Sequence, residues 1–268
     1  MATHDRLAYY SPRFDACGPQ PPRARYAIFS SQRTGSNYLC ARLCNIEGRL
    51  GMPMEYLHGR AVIDFGQRLL PGRAGPLGLD DYLAAVARVR TTADGWFGIK
   101  IQPNQLLPLI GGDVERVAAL LAGFDKVVFM RREDKLAQAI SCAIARASGV
   151  WFNFGEEPAL AAADRAPLLA GIRDDVARFA REEALMREVA GRLPPGKSLE
   201  WTHEALIRAP QRVFAATLAH LGIAADDVIV ETERVRPTER PPGTLAAQLR
   251  AAYLERYPPG DAQSTRNG

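Results

Sequence analysis

The 268-residue chain predicts a single α/β domain, a three-layer sandwich in which helices cover both faces of a central, mainly parallel sheet. Three observations lead there. Short, mostly apolar runs at Tyr26 to Phe29, Trp96 to Ile101 and Lys126 to Met130 are brief enough to be buried strands. Longer stretches with apolar residues three and four apart separate them, as crossover helices do. The length suffices for a sizeable core, and 47% hydrophobic against 24% charged residues is ordinary for a globular protein.

Residues 1–24 carry Pro19, Pro21, Pro22 and several arginines without apolar periodicity, so they are expected to form an irregular arm. That leaves 25–257 as the domain and 258–268 as a polar tail. The first strand passes through a polar turn containing Gly35 into a helical pattern with Leu39 and Leu43 on one face. A glycine-rich loop over 48–59 holds one carboxylate, Glu55, and 60–78 reads as a Gly/Pro-rich connector. Leu79 to Arg90 is an amphipathic helix, and the strand at Trp96 to Ile101 is ended by Pro103. A helix around Asp113 to Phe124 leads to the third strand, and a helix over about Glu133 to Ala147 carries Ser141. Val150-Trp-Phe-Asn-Phe is an aromatic loop that serves either the core or a substrate wall. A long helical region with Ile172, Val176 and Phe179 on one face ends at Leu193-Pro-Pro-Gly. Ser198 to Trp201 is a fourth strand, Pro210 to His220 a helix stopped by Gly222, and Leu245 to Tyr257 a last short helix. No internal repeat is present.

Composition narrows the function. No apolar run approaches the length of a bilayer span, and the first residues lack a signal peptide's hydrophobic segment, so a cytoplasmic protein is expected. Cys17, Cys40, Cys44 and Cys142 form no CxxC pair and stand near no histidine cluster; free thiols are expected, with no metal site. The formal charge of +4 is too mild and too scattered for nucleic acid, yet suits a small anionic ligand.

The chemistry concentrates at strand ends. The first amides of a helix lack intrahelical partners and carry partial positive charge, so an anion is favoured there. In the loop before the first helix, Gly35 lets amides approach closely and Arg33 supplies a charged fork. Ser31, Thr34, Ser36 and Asn37 add side-chain donors. The same residues also describe an ordinary helix start, and neither GxxxxGK[ST] nor GxGxxG is present. Arg131 and Arg132 end the third strand, where open α/β sheets bind ligands. Ser141 follows Arg132 by nine residues, so both face one anion if the arginine reaches back across the helix start.

Four segments in order carry a resemblance. Ser31-Gln-Arg-Thr-Gly-Ser-Asn, Gly51-Met-Pro-Met-Glu-Tyr, Trp96-Phe-Gly-Ile-Lys and Arg132-Glu-Asp-Lys-Leu-Ala-Gln-Ala-Ile-Ser, spread over about residues 26–222, resemble the sulfotransferases that use 3′-phosphoadenosine-5′-phosphosulfate. The trehalose 2-sulfotransferase family of bacteria is the nearest match. The resemblance implies a P-loop-like fold related to the kinases. It implies that the loop of Ser31, Gln32, Arg33, Thr34, Gly35, Ser36 and Asn37 holds the 5′-phosphosulfate. Arg132 and Ser141 would hold the 3′-phosphate, with Arg131 as a possible substitute for Arg132. Where a larger group of relatives has a histidine two residues after the lysine of the second strand, this chain has Gln102, whose amide has no useful basicity. The resemblance therefore implies Glu55 as general base, with Arg33 and Lys100 stabilising charge. It implies no metal, a hydroxyl acceptor such as a sugar or glycolipid, and a homodimer. His203 stands where relatives place an aromatic residue near adenine; a structural histidine is the other reading. Two rival functions remain at this level: a kinase-like transferase, against which the missing triphosphate loop argues, and a non-catalytic nucleotide-binding module, which would have no need of Glu55 and Lys100.

Overall fold

The computed structural model describes residues 6–258 apart from 17, 47, 73–77, 152–164 and 225–242. Four strands form one parallel sheet: β1 (Ala24–Ser30), β2 (Trp96–Ile101), β3 (Lys126–Arg131) and β4 (Ser198–Thr202), in the order β2-β1-β3-β4. Registers pair Ile28 with Lys100, Phe29 with Phe129 and Arg131 with Thr202. All four C-terminal ends therefore lie on one edge.

Alternate residues of each strand feed different layers. Ala27, Phe29, Ile99, Val127 and Phe129 join a cluster with Phe65, Val86, Leu106, Val117 and Val189. These come from α2 (Gly59–Leu69), α3 (Leu79–Arg90), α4 (Pro103–Ile110), α5 (Val114–Ala122) and α7 (Arg165–Arg192). Tyr26, Ile28, Val128 and Met130 face the other way, onto α1 (Ser36–Cys44), α8 (His203–Arg208) and α9 (Pro210–His220). The three-layer α/β arrangement is thus present. A third cluster joins α6 (Lys135–Ser148) and α7 to α10 (Thr244–Arg256) through Ile140, Phe179 and Leu249.

Two expectations are corrected. Residues 59–69, read as the end of the glycine-rich loop and the start of the connector, form α2: Ala61 and Phe65 are buried one turn apart, and His58 caps the start by accepting from the Arg60 amide at 3.3 Å. Pro103 does not simply end β2. It occupies the first turn of α4, where its missing N–H costs nothing and its φ suits a helix. Before β1, residues Arg6–Tyr10 and Pro12–Phe14 take two 3₁₀ turns. They are held by Arg90, fully buried, which donates to the carbonyls of Phe14 at 2.8 Å and Ser11 at 3.2 Å and lies 3.3 Å from Asp15. Cys40, Cys44 and Cys142 are free thiols; Cys17 and the ring residues at 152 and 154 lie outside the described residues.

Candidate active site

The site lies where the parallel strands end. After β1, the backbone turns through two left-handed positions, Arg33 at φ 63° and Gly35 at φ 80°. Left-handed geometry is costly for arginine and free for glycine. Gly35 is required for a second reason: a Cβ there would lie 2.6 Å from Leu206 Cδ2 and 3.1 Å from His203 Nδ1. Helix α8 therefore packs directly on the loop, with His203 beside Gly35. Gly35 caps α1 without a side-chain hydrogen bond, leaving the first amides of α1 to the loop's interior. Inside the loop, Thr34 is fully buried and its hydroxyl donates to the Ser31 carbonyl at 3.2 Å.

Helix α6 holds the loop from the other side. Gln138, fully buried, donates through Nε2 to Ser31 Oγ at 2.8 Å and to the Gln32 carbonyl at 2.6 Å. Gln32 Oε1 accepts from Arg178 of α7 at 3.4 Å. Arg178 is itself fixed by Asp175 at 3.0 Å and Glu182 at 2.8 Å. Arg33 donates Nε to Ser141 Oγ at 2.9 Å and a terminal nitrogen to the Trp151 carbonyl at 2.7 Å. Burial works against the charge of this guanidinium and lowers its pKa from the ordinary value. Arg132 reaches back to the Arg33 carbonyl at 3.3 Å, so Arg33, Arg132 and Ser141 share one corner. Arg131 instead turns toward Glu183 at 3.7 Å and Glu200 at 3.9 Å.

Arg131 is the last residue of β3 and Arg132 the first beyond it, and their side chains leave the chain in different directions. The start of α6 has its own internal anions. Asp134 caps Ala137 N at 2.8 Å, and Glu204 of α8 accepts from the Glu133 and Asp134 amides at 3.1 and 3.3 Å. Burial raises the pKa of each carboxyl. These amide bonds outweigh it, with Arg250 adding to them at Asp134, and hold both below the ordinary carboxylate value.

At the other end of the loop, Met54 makes a parallel bridge with Ile99, and the Lys100 amide donates to the Met54 carbonyl at 2.9 Å. That pairing sets the next residue of the segment, Glu55, against Lys100. The Lys100 ammonium, 2% exposed, donates to Glu55 Oε1 at 2.6 Å and to Asn37 Oδ1 of α1 at 2.7 Å. Gln105 of α4 donates to Glu55 Oε2 at 2.8 Å, and the Tyr10 hydroxyl donates to the Glu55 carbonyl at 3.2 Å. An anion-favouring loop, a buried cation and a carboxylate thus follow one another along the strand ends. Together they can bind an anionic group, neutralise charge beside it and accept a proton.

The structure brings together Ser31 through Asn37 with Arg132 and Ser141, and joins Lys100 and Glu55 to them through Asn37. Arg33, read for the 5′-phosphosulfate, bonds through Nε to Ser141, read for the 3′-phosphate, so the two groups of residues adjoin. Gln138, Gln105 and Tyr10 were not singled out from the sequence. No motif marks a lone amide, and their placement depends on strands and helices far apart in the chain. Among the described residues, no group of three or more His, Cys, Asp or Glu side chains is arranged to hold a metal ion, and no helix is long and apolar enough to cross a membrane.

A family model described as Stf0 sulphotransferase matches residues 25–240. No curated protein matches the chain. Among solved structures, a sulfotransferase from Alicyclobacillus acidocaldarius is 16% identical, covers 87% of this chain and 92% of its own, and gives a TM-score of 0.46. The sulfotransferase domain of a Synechococcus olefin synthase is 14% identical over 79% of this chain and 78% of its own, with a TM-score of 0.41. A sulfotransferase domain from the curacin biosynthetic pathway is 15% identical over 75% and 74%, with a TM-score of 0.43.

Proposed function

The chain belongs to the Stf0 sulphotransferase family, and from that membership we propose that it moves a sulfuryl group from 3′-phosphoadenosine-5′-phosphosulfate to a hydroxyl of a small polar acceptor. The observation that supports this most is the run Asn37–Lys100–Glu55, a cation and a carboxylate bonded in series to the first turn of the anion-favouring helix. The residues fit such a donor. Gly35 and Arg33 curl the backbone so that amides converge, the α1 start has no side-chain cap, and Arg132, Arg33 and Ser141 offer a second anion corner.

The donor supplies the sulfuryl group. The protein's work is binding, orientation and charge. Ser31 through Asn37 take the phosphosulfate end and Arg132 with Ser141 the 3′-phosphate, Arg33 bracing the corner between them. Glu55 accepts the acceptor's hydroxyl proton as the new oxygen–sulfur bond forms. Lys100 neutralises the charge that the breaking sulfur–oxygen bond leaves on the phosphate. No metal is needed for these roles, because lysine, arginine and amides meet the developing charge. We assign the unit to residues 25–257 and place it in the cytoplasm as a homodimer. Carbohydrate or glycolipid hydroxyls are the acceptor class, in keeping with the resemblance of the sequence to trehalose 2-sulfotransferases.

The test is transfer of radiolabel from the sulfuryl donor to a panel of trehalose, simpler sugars, a glycolipid and a plain alcohol, with magnesium chelated. Labelled sugar or glycolipid is expected. Glu55→Gln should cut turnover by ~10²–10⁴-fold while leaving affinity for adenosine 3′,5′-bisphosphate within about twofold. Undiminished turnover in that variant removes Glu55 as base, and label on no hydroxyl of the panel removes the acceptor class.

A further inference from the structure

Helix α4 places a second donor on the carboxylate that the proposed reaction uses as base. Gln105 stands in the first turn of α4, directed by the strand–helix junction at Gln102 and Pro103. Its Nε2 donates to Glu55 Oε2 at 2.8 Å and contacts Gln102 Oε1 at 3.3 Å. The opposite amide orientation would set the Gln105 oxygen against a carboxylate oxygen and a second amide oxygen, all acceptors, so chemistry fixes which end faces Glu55. Gln105 Oε1 is buried and has no hydrogen-bond partner among the described residues. Leaving a buried acceptor unmet has a cost, and the arrangement accepts it while the nitrogen serves Glu55.

We propose that Gln105 is the positioning residue of the base: it tethers Oε2 of Glu55 so that Oε1, the oxygen now shared with Lys100, meets the acceptor hydroxyl. The inference rests on the reading of Glu55 as base. Lys100 cannot position the base through the whole reaction, because its ammonium also bonds Asn37 in the first turn of α1. As negative charge builds on the departing phosphate, Lys100 is drawn toward it and Oε1 is released. The bond from Gln105 to Oε2 stays in place as that happens and helps to keep the carboxylate aimed. A neutral amide orients without depressing basicity as much as a second cation would. Among the described residues, Lys100 from β2 and Tyr10 from the first 3₁₀ turn, the latter on the backbone carbonyl, are charged or titratable groups set against Glu55, with Gln105 as a neutral neighbour and Asn37 on the far side of Lys100.

Gln105→Met keeps length and removes the donor; Gln105→Glu keeps shape and reverses its character. Three readouts separate positioning from simple structural loss. They are calorimetric affinity for adenosine 3′,5′-bisphosphate, the carbon-13 titration of the Glu55 carboxyl in the protein without donor, and the pH profile of kcat. The Glu55 signal is identified by its loss in Glu55→Gln. The expected result for Gln105→Met is bisphosphate affinity within twofold of wild type and kcat lower by roughly 10- to 100-fold. Its Glu55 titration and the acid limb of kcat both move to higher pH. In Gln105→Glu the two carboxyls titrate as a coupled pair and the limb moves further in the same direction. If Gln105→Met does not fold, the isosteric Gln105→Glu decides alone. A Glu55 titration and an acid limb at their wild-type positions overturn the assignment, whatever kcat does. Failure of the base reading looks different: Glu55→Gln itself would then be fully active.

Discussion

At the scale of single residues, the site works by giving each side chain one direction. Arg131 and Arg132 are neighbours of the same type, yet the first pairs with Glu183 and Glu200 while the second reaches the loop carbonyl of Arg33. Their substitution should therefore separate. Arg132→Ala or Ser141→Ala weakens binding of adenosine 3′,5′-bisphosphate by about 10-fold or more, whereas Arg131→Ala leaves that affinity within about twofold, both read by calorimetry. Gly35 is the sensitive backbone position of the loop. Gly35→Ala must hold a positive φ and push Leu206 aside, costing about 1–3 kcal/mol of stability by denaturant unfolding and distorting the loop enough to abolish bisphosphate binding. Much of this corner was legible in the sequence, since Arg33, Gly35, Arg132 and Ser141 belong to short motifs whose residue types name their chemistry. The direction of Arg33 was not, because it depends on α6 and on Trp151, both more than a hundred positions away.

At the scale of elements, the parallel strands and the strongly periodic helices were legible, whereas two helices rich in glycine or proline, α2 and α4, were not. Helix α2 contains Gly59 and Gly66 and is followed by Pro71 and Gly72, a composition that reads as a connector; burial of Phe65 against Tyr56 overrides it. Helix α4 contains Pro103 and Pro108, and only its position after β2 makes the first of these a helix start. The glutamine that steadies Glu55 stands on that helix, so missing the element meant missing the residue. The arm before β1 has the same history. No apolar period marks it, and a single buried arginine, Arg90, organises it through carbonyls and Asp15. Arg90→Met should destabilise the protein by about 3 kcal/mol, because Asp15 keeps Arg68 as a partner but the Phe14 and Ser11 carbonyls lose their donor. Chemical denaturation measures it, and a loss under about 1 kcal/mol would mean the arm is held by its aromatic contacts alone.

At the scale of the whole molecule, one sheet edge collects the chemistry and the helices behind it lock the geometry. Glu204 joins α8 to the start of α6, and its pKa is held below the ordinary value by amide bonds that outweigh burial. A carboxyl lowered in the fold contributes stability that is present above its unfolded pKa of about 4 and is lost as pH falls through its folded value. Glu204→Gln should therefore melt below wild type at pH 7, with the gap closing as the pH falls below about 4; a gap independent of pH would mean that the charge contributes nothing. Function at this scale comes down to which anion the edge is built for. The most direct measurement is a calorimetric titration of the protein with adenosine 3′,5′-bisphosphate and, separately, with ATP, each with and without magnesium. Magnesium-independent binding of the bisphosphate, lost in Arg132→Ala, is the result expected of a sulfuryl-donor site. Selective binding of ATP that requires magnesium would contradict it and make the loop a triphosphate site instead.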